Sequence, residues 1–279
     1  MRIKYPIRVA IHGVPRSGTT WLGEILNSSP NTLYKYQPLF SYVLKDFLTQ
    51  FSEQKDIDVF FDLLTSTNND FLDQVQKRHS GILPIFAKEI MSHVVYKEVR
   101  YHNILNNLMY QDKYLFLVLI IRSPFAVINS WLKAPREFRF DLEWDILEEW
   151  HHAHKKNMNK LENYFGYEKW KEATYLFLNL KKKYPERVYI VEYKDLLKDT
   201  VSEVKSLFDF CQLQLTEQTR DFIIQSRSTT NIDHYSTYRV KQTDKDWCRE
   251  LHQKIITEIT NDLRNTELEV FVINDYQVQ

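Results

Sequence analysis

Apolar residues along this chain fall into short runs of strand length, separated by stretches with helical spacing. Leu115-Phe-Leu-Val-Leu-Ile-Ile121 is the clearest run, continuously apolar in the way of a strand buried on both faces of a parallel sheet. Further strand-like segments fall near residues 8–13, 32–36, 94–99 and 187–193, alternating with helical patterns. This alternation predicts an α/β fold in three layers, a mostly parallel central sheet with helices on both faces. No internal repeat, low-complexity tract or Pro/Gly-rich linker divides residues 1–279, which read as one domain. Residues 38–80 are aromatic-rich and read as helical, either a cap over a binding site or, for most of the rings, packing onto the sheet. Residues 134–184 read as long charged helices, and Asp246 to Leu263 as another.

The first strand feeds an unusual loop. The chain has five glycines, and Gly13, Gly18 and Gly23 cluster just after this strand. Glycine so scarce elsewhere points to close backbone approach or unusual dihedrals at these positions. The spacing Gly13-x-x-x-x-Gly18 is that of a phosphate-cradling loop, but Thr19-Thr20 stands where Lys-Ser/Thr is required. The positive charge is instead Arg16, inside the loop. Loop amides at a helix start attract an anion, Ser17, Thr19 and Thr20 add hydroxyl donors, and Arg16 can fork two donors onto phosphate or sulfate. The loop Lys is missing and no strand ends in a persuasive metal-binding Asp. The site therefore reads as an anion site without a metal, which disfavours an ATPase or GTPase.

The segment Pro15-Arg-Ser-Gly-Thr-Thr-Trp-Leu22 resembles the 5′-phosphosulfate loop of sulfotransferases that use PAPS, 3′-phosphoadenosine 5′-phosphosulfate. Its Arg form is more similar to the tyrosylprotein, carbohydrate and bacterial members than to the cytosolic ones, which usually carry Lys there. A second segment adds to this. The run Leu115–Ile121 ends in Arg122-Ser-Pro, with Ser123 placed to cap a following helix and Pro124 to open it. Arg122 thus stands at the carboxyl end of a strand, where open α/β sheets bind ligands. Arg122-Ser-Pro-Phe-Ala-Val-Ile-Asn-Ser130 resembles the family's 3′-phosphate motif, and the resemblance implies that Arg122 and Ser130 hold that phosphate. It also implies a P-loop-like fold, PAPS as co-substrate, PAP as product, and no metal. Two weaker echoes follow. Tyr193 matches a late-strand position near the nucleotide, or is simply a packed strand-end tyrosine. Tyr235-Ser-Thr-Tyr-Arg239-Val-Lys241 resembles the loop that closes over PAPS, with Arg239 and Lys241 as contacts, or is a solvated loop.

The general base is less plainly written. Similar members carry a Glu shortly after the first helix, in a segment like Tyr34-Lys-Tyr-Gln-Pro-Leu-Phe40. Here Gln37 occupies that position; it can hydrogen-bond an acceptor but cannot take its proton. The substitute is Lys97-Glu98-Val-Arg100, on a strand that faces the same crevice. Cytosolic relatives use a Lys and a His in a similar segment. Glu98 serves as base if burial raises its pKa, or forms a structural ion pair. Lys97 or Arg100 would contact the sulfuryl group, and Arg16 would stabilise it. His12 is a further candidate base or a packed core histidine.

Composition narrows the partners. Lys and Arg balance Asp and Glu at 37 each, so no global field favours nucleic acid or an anionic membrane. No apolar run approaches the roughly 20 residues of a membrane span. Cys211 and Cys248 make a disulfide framework unexpected, though their pairing stays open. The first strand leaves no room for a removable signal peptide, and a cytoplasmic location is expected. His151, His152 and His154 cluster on a charged segment without completing a metal-ligand set, so no metal is expected there. The function expected is transfer of a sulfuryl group from PAPS to an acceptor hydroxyl, carbohydrate being one acceptor class and a small molecule another. The alternatives are a Mg²⁺-dependent P-loop kinase or NTPase, and a PAP-binding module that has lost its base.

Overall fold

The computed structural model describes residues 6–229, 237, 238, 240 and 243–272. Five strands, β1 (Ile7–His12), β2 (Thr32–Tyr36), β3 (His93–Glu98), β4 (Leu115–Ile121) and β5 (Val188–Glu192), form one sheet in the order β2-β3-β1-β4-β5. Every pairing is parallel. The strand-like segments read from the sequence are these strands, displaced by a residue or so.

Alternation along each strand builds two cores. Leu115, Leu117, Leu119 and Ile121 enter one face with Ala10, Val94 and Tyr96. Val118 and Ile120 enter the other with Val9, Ile11 and Val95. Both faces of β4 are thus apolar because both are covered, and each buried aliphatic side chain contributes about 1.5–3 kcal/mol. The first face is roofed by helices Gln54–Ser66, Pro124–Leu132, Tyr167–Lys183 and Gln253–Leu263. Helix α1 (Thr19–Asn27), with helices Thr200–Phe210 and Glu217–Ser228, covers the second.

Helical segments differ more from the sequence reading than strands do. Residues 38–80 form a 3-10 turn at Pro38–Phe40, one full helix at Gln54–Ser66 and short helical turns at Asp70–Asp73 and Val75–His79. The helix commits Ile57, Phe60, Phe61 and Leu64 to the core. The expected long helices of 134–184 reduce to one, Tyr167–Lys183. Before it, left-handed backbone at Ala153, Met158 and Asn159 breaks the helical run into the short pieces Ile146–His152 and His154–Asn157. Buried Trp150, Tyr164 and Phe165 fasten this irregular stretch to the sheet. The helix expected from Asp246 is likewise interrupted, where Leu251 and His252 take extended backbone.

The strand order places β1 at the centre, with the chain passing first to the β3 side and later to the β4 side. The crevice at such a reversal lies beyond the carboxyl ends of the strands. Close packing of α1 on the sheet fixes its floor: a Cβ at Gly23 would lie 2.3 Å from Tyr34 Oη and 2.8 Å from Tyr34 Cζ. Gly23→Ala is therefore expected to cost about 1–3 kcal/mol through overpacking. Urea denaturation should show a lower midpoint at unchanged slope, and an unchanged midpoint would contradict this account of the contact.

Candidate active site

The loop between β1 and α1 is shaped by what lies beneath it. A Cβ at Gly13 would meet Ile120 Cγ2 at 2.5 Å and the Ile120 carbonyl oxygen at 2.9 Å. Gly18 has φ 92°, and a Cβ there would meet the Tyr193 ring at 2.6 Å. Only bare backbone fits between β4 and Tyr193. Arg16 also takes left-handed backbone, at φ 73°, and the Ser17 amide closes the turn on the Val14 carbonyl at 3.2 Å. The result is a tight loop ending at the positive N-terminus of α1, where amides and helix dipole favour an anion.

The second motif meets the first here. Arg122 follows β4 directly and donates to the carbonyl oxygen of Arg16 at 2.6 Å. In return Arg16 Nε donates to Ser130 Oγ, on helix Pro124–Leu132, at 3.1 Å. The Arg122 guanidinium lies 4.8 Å above the Tyr193 ring, and Trp170 Nε1 fixes the Arg122 carbonyl at 2.9 Å. Its remaining donors form a two-pronged pair with Asp244, both contacts at 2.6 Å. Burial opposes the charge on Arg122, but the Asp244 carboxylate outweighs it and holds the pKa above its usual value.

On the β3 side, Lys97 and Glu98 separate. Lys97 reaches toward α1, with Nζ 3.4 Å from Thr19 Oγ1 and 4.2 Å from the centre of the Tyr36 ring. Burial pulls its pKa down to about 7. Glu98 turns the other way, and its carboxylate accepts from the Leu39 amide at 2.7 Å. Burial pushes its pKa up to about 8. Gln37 is held in left-handed backbone at φ 43°, with its amide on the Lys97 carbonyl at 2.9 Å. Its side chain hydrogen-bonds the Tyr36 hydroxyl, whose pKa burial raises to about 12.

Arg16, Arg122, Lys97 and Gln37 all border one cavity of about 310 Å³. Arg16, Gly18, Thr19, Thr20, Arg122, Ser130 and Tyr193 line one part. Tyr36, Gln37, Phe40, Phe71, Lys97, Arg100 and Phe165 line another. An anion cradle joined to an aromatic pocket is the arrangement expected for transfer of a charged group to an organic acceptor. The family described as "Sulfotransferase domain" matches residues 6–268, nearly the whole chain. The chain belongs to the sulfotransferase family. That membership makes it a transferase of sulfuryl groups and sets aside the kinase alternative.

Solved structures share this sulfotransferase's fold at low identity. Mouse sulfotransferase SULT7A1, crystallised with PAP, is 13% identical, covers 94% of this chain and 86% of its own, and gives a TM-score of 0.55. Retinol dehydratase in complex with retinol and PAP is 17% identical over 94% of this chain and 83% of its own, at 0.53. The sulfotransferase domain from the curacin biosynthetic pathway is 17% identical over 93% and 98%, at 0.52. No curated protein sequence matches this one closely enough to count as a relative.

Several residues singled out in the sequence lie away from this cavity in the sulfotransferase. Ser17 is fully buried, its Oγ has no hydrogen-bond partner among the described residues, and it does not line the cavity. Glu98 is also fully buried and off the cavity wall; it anchors the turn that carries Gln37 and Phe40. His12 packs in the core against His102 and Tyr96, and burial lowers its pKa to about 3. Cys211 is a buried free thiol, so it does not pair with Cys248. Arg239 and Lys241 lie outside the described residues. The sequence reading missed Asp244, Glu137, Lys77 and Arg227. The last three line the cavity but belong to no motif.

Lys97 offers a direct check of this electrostatic picture. Its side-chain carbon resonances should titrate with a midpoint near pH 7, against an ordinary value of 10.5. Between those values the unfolded chain binds more protons than the folded one. The wild type should therefore gain stability relative to Lys97→Met as pH rises through that window. A midpoint near 10 would contradict the burial of Lys97.

Proposed function

We propose that this sulfotransferase uses PAPS as its sulfuryl donor and passes the group to a hydroxyl held in the aromatic part of the cavity. The observation that carries the reading is the mutual tie of the two motifs, Arg122 to the Arg16 carbonyl and Arg16 to Ser130. In this reading the 5′-phosphosulfate lies on the loop and the amino end of α1. Arg122 and Ser130 receive the 3′-phosphate, and Tyr193 supports the nucleotide. The Asp244 carboxylate, already paired with Arg122, must yield part of that guanidinium when a phosphate arrives.

During transfer, negative charge builds on the sulfuryl oxygens and on the leaving phosphate. Arg16, the loop amides and Lys97 are the groups placed to oppose it, and losing one such donor costs about 3–4 kcal/mol of transition-state stabilisation. An arriving anion raises the pKa of Lys97, so the amine is charged when needed. Gln37, braced by its backbone and by Tyr36, orients the acceptor hydroxyl. Phe40 and Phe71, whose rings lie 6.3 Å apart, make residues 38–80 part of the acceptor cap while the helix behind them packs the core. Aromatic walls with charged side chains between them suit a sugar or another small hydroxylated molecule as acceptor. The thiol at Cys211 accords with a reducing, cytoplasmic setting.

Arg122→Ala should weaken PAP binding by about 1.5–3 kcal/mol, the scale of a hydrogen-bonded charge, and leave ADP binding nearly unchanged. Asp244→Asn removes the competing carboxylate and should tighten PAP binding about tenfold, again without affecting ADP. Both are read by calorimetric titration. Equal losses for PAP and ADP in Arg122→Ala would overturn the 3′-phosphate assignment. Weaker PAP binding in Asp244→Asn would make that carboxylate a support for Arg122 rather than a competitor.

A further inference from the structure

The cavity is strongly basic. Arg16, Lys77, Lys97, Arg100, Arg122 and Arg227 all line it, and Glu137 is the single carboxylate among its described lining residues. Glu137 belongs to a turn just after the helix that carries Ser130. Its amide and that of Phe138 both donate to the Ala134 carbonyl, at 2.8 Å each. Ala134 and Phe138 are buried, and the Phe138 ring packs edge-on against Trp131 and Trp144. The turn therefore cannot swing freely, and Glu137 is held at the cavity wall. One of its oxygens, Oε2, is shielded from solvent and has no hydrogen-bond partner among the described residues. With that oxygen shielded, the carboxylate meets a bound molecule through its other oxygen.

Other groups fail as proton acceptors for different reasons. Gln37 is an amide. Glu98 is turned onto the Leu39 amide behind the wall, and His12 is locked among core rings. Tyr36 holds its proton to about pH 12, and Lys97 leans on Thr19 at the loop side. Glu137 instead stands within electrostatic reach of Tyr36, Lys97, Arg100 and Lys156, between the loop side and the aromatic pocket.

We infer that Glu137 is the general base of the transfer, taking over from the absent carboxylate at position 37. Its carboxylate accepts the proton of the acceptor hydroxyl as the hydroxyl oxygen forms a bond to sulfur. The bond from sulfur to the 5′-phosphate oxygen breaks, and its electron pair leaves with PAP. Arg100, whose guanidinium lies 3.9 Å from the centre of the Phe40 ring, lines the same cavity and is placed to orient the acceptor. This assignment rests on the PAPS reading above.

The test uses the full chain with ³⁵S-labelled PAPS and water as the acceptor probe. Sulfate release and PAP affinity are measured for wild type, Glu137→Gln and Glu137→Asp. Loss of a general base lowers rates by about 10²–10⁴-fold. Glu137→Gln should therefore release sulfate at least about 100-fold more slowly while binding PAP within twofold of wild type. Glu137→Asp should recover a measurable part of the rate. Unchanged release from Glu137→Gln would overturn the assignment. So would a wild type that binds PAPS yet leaves it intact, because a general base at the cavity wall activates water. Equal loss of PAP affinity and rate in both variants would likewise overturn it, in favour of a structural role. A wild type that does not bind PAP would strike the donor reading first, and this assignment with it.

Discussion

The bond from Arg122 to the carbonyl oxygen of Arg16 joins segments 106 residues apart in the sequence. It exists because β1 and β4 are adjacent parallel strands, so the residues that follow each emerge at the same end of the sheet. Glycine at positions 13 and 18 then lets the first loop lie directly on Ile120 and Tyr193. A side chain at either place would lift the loop from β4 and pull Arg16 away from both Arg122 and Ser130. The position of every other group around the anion follows from this contact, including Tyr193, which is trapped between Gly18 and the Arg122 guanidinium.

Collecting so many cations in one cavity carries an electrostatic cost, and the chain meets it in two ways. Lys97 lies where burial disfavours its charge, so it waits partly neutral and gains a proton as an anion arrives. Arg122 cannot give up its proton, and Asp244 supplies the missing counter-charge. The two solutions have different consequences. In the proposed reading, a neutral lysine leaves room for donor binding to proceed without displacement, whereas a paired arginine makes the 3′-phosphate compete with a carboxylate. Selectivity for a 3′-phosphorylated nucleotide would then be set by a difference between two ionic contacts, not by one alone.

Much of the fold was legible because its cause is local. The unbroken apolar run of β4 reads as a strand covered on both sides, and five strand-like segments separated by helical ones leave few arrangements. The anion loop was legible for the same reason, since glycine spacing and Arg16 sit in one continuous stretch. The reading of Glu98 shows a signal that was available but unused. Adjacent strand residues point to opposite faces, so Lys97 and Glu98 cannot both face the crevice. Asp244 and Glu137 were hidden for another reason. Each reaches the site through tertiary packing, Glu137 on the Ala134 turn with buried Phe138 and Asp244 through its pair with Arg122. No spacing rule links either residue to the loop. The broken helices of 134–166 were equally hidden, because left-handed backbone at non-glycine residues is imposed by packing against the spacing of the sequence.

The measurement that bears most directly on this account is calorimetric titration of the purified wild-type protein with PAP and with ADP, first without metal and then with Mg²⁺. A junction of two arginines built around a 3′-phosphate predicts tight, metal-independent binding of PAP and much weaker binding of ADP. Equal affinity for the two nucleotides, or binding that appears only with Mg²⁺, would contradict it.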